Sequence, residues 1–215
     1  MELNTISTVR TARYISLGEP GADIQHVWFC LHGEGQPLAA FAAQLVNFDT
    51  PDRLLVLPEG LSRYALPAGP TETPVTAASW FAPDSLLADL SDLTTYLDEL
   101  AAEVLANCPA NVPVTVLGYG HGAAAACRWL ASGRTHYDRL LLYAPVFPPS
   151  IDRRATLVGL PERPVTLIST TTEAFTTEAA GAGLLQDLRD VGLSAQQRYV
   201  SEGPLTLAAL GTVGK

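Results

Sequence analysis

The stretch Val112-Pro113-Val114-Thr115-Val116-Leu117-Gly118-Tyr119-Gly120-His121-Gly122-Ala123-Ala124 decides how the rest of the sequence reads. Residues 112–117 form an apolar run without polar alternation. That is the pattern of a strand buried on both faces, in the centre of a parallel sheet. Three glycines at alternate positions follow, and residues 122–131 continue as a helix of small side chains. Small residues at a strand-to-helix turn let the helix pack close to the strand it leaves.

Working outward, residues 24–31 read as a strand that runs into His32-Gly33-Glu34-Gly35. Residues 9–16 read as another, and Gly18-Glu19-Pro20-Gly21 between them is a turn signal, so the chain is expected to open with an antiparallel hairpin. Residues 37–48 have helical spacing, with Leu38, Phe41, Leu45 and Phe48 near one face. Residues 53–57 are a short buried strand ending at Pro58-Glu59-Gly60, and residues 61–82 read as a long loop rich in Pro, Gly and Thr. Loops of that length inside a domain are usually functional or mobile. Residues 83–107 form a long helix with Leu86, Leu90, Leu93, Leu97, Leu100 and Val104 as its buried stripe.

Beyond the central stretch, residues 139–143, 165–169 and 196–200 read as strands, and 178–191 and 204–210 as helices. Strands and helices alternate from residue 24 onward. The expectation is an α/β fold with a mainly parallel sheet, helices on both faces, one domain over residues 1–215 and no separate cap domain. Ligands in such sheets sit beyond the carboxyl ends of the strands. Those ends carry residues 32–35, Glu59, 118–122, 144–146, 169–173 and 201–204.

Composition narrows the function classes. The chain has 215 residues, 47% apolar, with a net charge of −9. An acidic surface repels phosphate backbones, which argues against nucleic acid as a partner. No apolar run approaches the roughly 18 residues needed to span a bilayer, and the first residues lack the pattern of a signal peptide. A cytoplasmic protein without a membrane partner is expected. Cys30, Cys108 and Cys127 lie far apart without metal or redox spacing, and read as free thiols. A homodimer is compatible with the sequence.

The segment Gly118-Tyr119-Gly120-His121-Gly122 stands where a nucleophile elbow, Gly-x-Ser-x-Gly, would stand, between a strand and a helix. At this point the chain resembles the phospholipase/carboxylesterase branch of the α/β-hydrolases. Two further segments fit the resemblance: the early strand ending in His32-Gly33, and Ser79-Trp80-Phe81 before the long helix. The resemblance extends over nearly the whole chain and implies an α/β-hydrolase fold. It also implies a serine at the position of Gly120, an acid at Glu173 and a histidine at Pro204. The first and last are missing, and no histidine follows His136. The oxyanion-hole donors implied by the family are the backbone N–H groups of Glu34 and His121.

Acyl transfer of this type needs a nucleophile, a base to take its proton and an acid to orient the base. Gly120 cannot attack and Pro204 cannot accept a proton, so the triad is read as degenerate. The elbow holds its nucleophile at a strained positive φ, which glycine adopts freely. Backbone donors survive side-chain substitution, so a polarised pocket can outlive the reaction. His32, Trp80 and Tyr119 are expected in or near that pocket. Each has a plainer reading: His32 as a structural turn residue, Trp80 as core packing, His121 as a polar wall, Glu173 as a loop carboxylate, and Glu34 as a side chain turned to solvent. His32, Glu34 and His121 could together ligate a metal, but no ligand spacing supports this, and no cofactor is expected. Two functions follow: a non-catalytic protein that binds a small acyl or ester-like ligand or a partner protein, or an esterase-like hydrolase with displaced machinery using His121, Ser79 or Glu34.

Overall fold

The computed structural model describes residues 4, 6, 8–67, 74–81, 86–170 and 178–200. Its centre is a seven-stranded sheet. Strands β1 (Tyr14–Leu17), β2 (His26–Leu31), β3 (Arg53–Pro58), β6 (Val114–Tyr119), β7 (Arg139–Tyr143), β8 (Val165–Thr170) and β9 (Ala195–Val200) lie in the order β1-β3-β2-β6-β7-β8-β9. All pairs are parallel except β1 with β3. The strand that precedes the three glycines, β6, is the middle strand of the sheet.

Sequence pattern explains the placement. Val27, Phe29 and Leu31 of β2 join one core cluster, while Trp28 and Cys30 join the other. Both sides of the strand are therefore fully buried, which accounts for its unbroken apolar run. On the first face lie α2 (Leu86–Leu105), α3 (His121–Ser132), α4 (Arg153–Val158) and α5 (Glu178–Asp190), contributing Leu93, Leu97, Trp129, Leu157 and Leu188 among others. On the second face α1 (Leu38–Leu45), continued by a 3-10 turn at Val46–Phe48, contributes Leu38, Phe41 and Leu45. Cys30, Cys108 and Cys127 are free thiols, as read from their spacing.

The structure departs from the sequence reading in three places. The antiparallel strand at the N-terminal edge is present, but its partner is β3 rather than β2, with Tyr14 opposite Pro58 and Leu17 opposite Leu55. Both edges of β2 are taken by the parallel neighbours β3 and β6, so β1 can add only beyond β3. Second, the expected loop over residues 61–82 contains a two-stranded antiparallel hairpin, β4 (Ser62–Ala65) and β5 (Thr76–Ser79). Third, the short helix α4 was not anticipated; the Asp152 side chain caps it by accepting from the backbone N–H of Ala155 at 2.9 Å. The expected helix over residues 204–210 lies outside the described residues. No helix among the described residues is long and apolar enough to cross a membrane.

Candidate functional site

The turn from β6 into α3 has the geometry of an elbow. Gly120 sits at φ +54° and ψ −123°, immediately before the first helical residue, His121. Its backbone is pinned on both sides: its N–H donates to the carbonyl of Tyr143 at 3.0 Å, and its own carbonyl accepts from Ala123 and Val146. The flanking glycines are demanded by close approach. A Cβ at Gly118 would fall 2.4 Å from the Cα of Ala123, and one at Gly122 would fall 2.3 Å from the Leu31 carbonyl oxygen. At Gly120 the corresponding atom would meet only the Cα of Gly33, at 3.5 Å. Space for a side chain is thus kept where the chain supplies none.

Above Gly120 opens a cleft of about 610 Å³. The β2–α1 turn forms one wall through Gly33, Glu34, Gly35, Gln36 and Pro37. The other wall comes from Tyr119, His121, Ala144 and Val146. The turn is held in shape by the N–H of Gly33 donating to Gln36 Oε1 at 2.9 Å. It is docked on β5 by the N–H of Gly35 donating to the carbonyl of Ala78 at 3.1 Å. That docking carries Glu34 to the next residue of β5, where the buried Ser79 hydroxyl donates to Glu34 Oε1. The other carboxylate oxygen faces His121 Nδ1 at 3.3 Å. Glu34 therefore bridges the hairpin to the elbow, while its side chain stays exposed at the cleft. Burial acts to raise the pKa of this carboxyl. Hydrogen bonds from His121 and Ser79, with the neighbouring His121 ring, more than offset it and leave the pKa below the ordinary value.

His32 and Trp80 are not among the residues that line the cleft. His32 is fully buried, with Nδ1 2.7 Å from the Gly33 carbonyl and Nε2 3.0 Å from the Gly60 N–H. A backbone N–H can only donate, so Nε2 is the acceptor and Nδ1 carries the proton. Burial, the largest influence, pushes the pKa of this ring down. Trp80 is 3% exposed, donates its indole N–H to the His32 carbonyl at 2.8 Å and packs against the His32 ring at 4.7 Å. Both are structural supports of the turn. With both ring nitrogens bonded, His32 does not join Glu34 and His121 as a ligand set, and no group of three potential metal ligands occurs among the described residues.

Of the residues singled out in the sequence, the structure gathers Glu34, Tyr119, Gly120 and His121 around one cleft. Glu173 and Pro204 lie outside the described residues. His136 is at the surface, beside Asp138. Gln36 and Pro37 were not anticipated in the site. The only signal for them was their position just past the His-Gly turn.

A mainly parallel sheet with its central strand feeding a glycine elbow, and a cleft over that elbow, defines the α/β-hydrolase fold. Solved esterase structures share it. The chain is similar to esterase PE8, with a TM-score of 0.64, 17% identity and coverage of 90% of this chain and 91% of that one. It is similar to a phospholipase/carboxylesterase from Dyadobacter fermentans, with a TM-score of 0.61, 15% identity, and 94% and 92% coverage. A carboxylesterase from Bacillus cereus gives a TM-score of 0.62 at 15% identity, with 92% and 89% coverage. No protein-family model matches the chain, and no curated protein sequence matches it.

Proposed function

We propose that this chain uses an esterase-like fold to bind a small acyl or ester-like ligand in the cleft above Gly120, without hydrolysing it by the serine route. The observation that supports this reading is the pairing of an intact elbow with an empty nucleophile position. The backbone keeps the positive φ and the space for a side chain, yet residue 120 is glycine. The cleft itself is open, and pockets of 300–1,000 Å³ lined mainly by apolar groups suit small ligands. The N–H groups of Glu34 and His121 make no hydrogen bond among the described residues, and they are the candidate donors to a ligand carbonyl.

Titration with ethyl butyrate, followed by backbone amide NMR, tests the reading. Shifts should concentrate at residues 33–37, 119–121 and 144–146. They should vanish in Val146→Trp, which fills the cleft from one wall. Shifts that are absent, or that persist in that variant, would refute it.

A second reading is favoured by one specific contact, Glu34 with His121. A carboxylate that orients an imidazole makes two of the three members of a hydrolytic triad, and in a hydrolase with displaced machinery His121 would act as the base. Ser79 does not serve as the nucleophile in that scheme. It is 7% exposed and its hydroxyl is spent on Glu34.

A further inference from the structure

We infer that the cleft above Gly120 takes a compact ligand bearing a protonated amine, which Glu34 receives while Tyr119, Pro37 and Val146 hold the apolar part. This rests on the reading that the cleft binds a small ligand, and adds the charge that the cleft prefers in it.

The first argument is charge. Among the described residues lining the cleft there is no arginine or lysine, and Glu34 is the one carboxylate. An anionic ligand would face that carboxylate with no permanent counter-charge nearby. The chain's net charge of −9 adds to the same bias, favouring the approach of cations over anions. The two imidazoles near Glu34 do not reverse it. His32 is held neutral, because its Nε2 accepts from the Gly60 N–H. His121 contributes through Nδ1 alone, on one carboxylate oxygen.

The second argument is unused hydrogen-bonding capacity. A carboxylate offers about four acceptor sites. Ser79 takes one on Oε1 and His121 one on Oε2. The Glu34 side chain is 41% exposed and lines the cleft, so its remaining sites are open to a donor there. An ammonium group, with three donors and a full charge, makes stronger bonds to them than a neutral hydroxyl does.

The third argument is preorganisation. Glu34 is fixed from two sides, by a buried hydroxyl on the β4–β5 hairpin and by the first residue of α3. Its turn is bonded to β5 through Gly35 and Ala78. A carboxylate already held in place costs little ordering when a ligand arrives. Beside it the Tyr119 ring is wedged between Phe41, at 6.1 Å between centroids, and Tyr143, at 5.6 Å. A ring fixed in this way on the cleft wall gives the rest of the ligand a preformed surface to pack on.

The rival account is that Glu34 serves only to pair with His121. The two differ in what they expect of three ligands of matched shape: benzylammonium, benzyl alcohol and benzoate. Each is titrated at pH 7.5 and constant ionic strength, with amide shifts of residues 33–37 and 119–121 as the readout. Benzylammonium should bind at least about tenfold more tightly than benzyl alcohol, and benzoate most weakly. Glu34→Gln keeps the side-chain shape and should bring benzylammonium down to the level of benzyl alcohol, with an unchanged thermal unfolding midpoint showing that the fold is intact. Equal binding of benzylammonium and benzyl alcohol by the wild type, or a preference for benzoate, overturns the inference. So does an absence of shifts with all three ligands when ethyl butyrate still produces them, and in that case the binding reading stands alone. If ethyl butyrate fails as well, the binding reading falls with it.

Discussion

At the scale of single residues, the three elbow glycines look alike in sequence and differ in physics. Gly118 and Gly122 are required because backbone atoms occupy the place of a Cβ, at 2.4 Å and 2.3 Å. Backbone at that distance cannot yield as a flexible side chain can. Gly120 is required only by its φ of +54°. Gly118→Ala and Gly122→Ala should therefore each cost about 3 kcal/mol or more, at the top of the range for overpacking. Gly120→Ser should cost less, about 1–3 kcal/mol, the strain of a non-glycine residue in a sparsely populated region. Urea denaturation of the three variants checks the order. Equal losses at all three would show that space, not conformation, also governs position 120. The elbow was legible in the sequence because its glycines sit at fixed offsets between a strand and a helix. The bridging contact of Glu34 was not, because it depends on Ser79, forty-five positions away, arriving on a hairpin with no clear local signal.

Elements meet at His32, and this is where acid should act on the fold. The ring lies at the end of β2, accepts from Gly60 just beyond β3, and packs on Trp80 just beyond β5. Burial, the largest influence, lowers its pKa in the folded chain. A histidine with a lowered folded pKa stabilises the fold fully above its unfolded pKa of about 6.5, and that contribution is lost as pH falls from there toward the folded pKa. Stability measured by urea denaturation should thus decline between pH 7.5 and pH 5.5. His26 also has a pKa lowered first by burial and shares in the decline, so the comparison with His32→Asn isolates the His32 part. The variant should be less stable at pH 7.5 but show a shallower decline; parallel curves would remove His32 from the account. Most elements were legible from periodicity, down to the strand at Arg139–Tyr143, because both-face burial leaves an unbroken apolar run. The partner of β1 was not, since a hairpin and an edge addition look the same within residues 9–31 and only the occupied edges of β2 decide between them. The strands Ser62–Ala65 and Thr76–Ser79 were missed because four residues each, set among Pro, Gly and Thr, carry too little alternation to register.

Over the whole molecule, the sheet, the elbow and the cleft are present together, while residue 120 carries no nucleophile. The fold alone therefore does not imply turnover. The wild-type protein should release no p-nitrophenol from p-nitrophenyl acetate or butyrate beyond an inert-protein control. Enzymes stripped of triad members retain an acceleration of roughly 10³–10⁴ over water from binding and the oxyanion hole, which a routine assay would scarcely register. Gly120→Ser alone should not restore turnover. It supplies a hydroxyl, but a serine hydroxyl is a weak nucleophile until a base takes its proton. His121 is its immediate chain neighbour, and the Nδ1 of that ring faces Glu34. The same assay on His121→Ala decides between the two readings of the site. Turnover that is absent from the wild type and from both variants fits a binding protein. Robust wild-type turnover that disappears in His121→Ala, while Ser79→Ala keeps part of it, would establish the Glu34–His121 pair as working machinery, because the Ser79 hydroxyl bonds the carboxylate that orients the ring and not the ring itself.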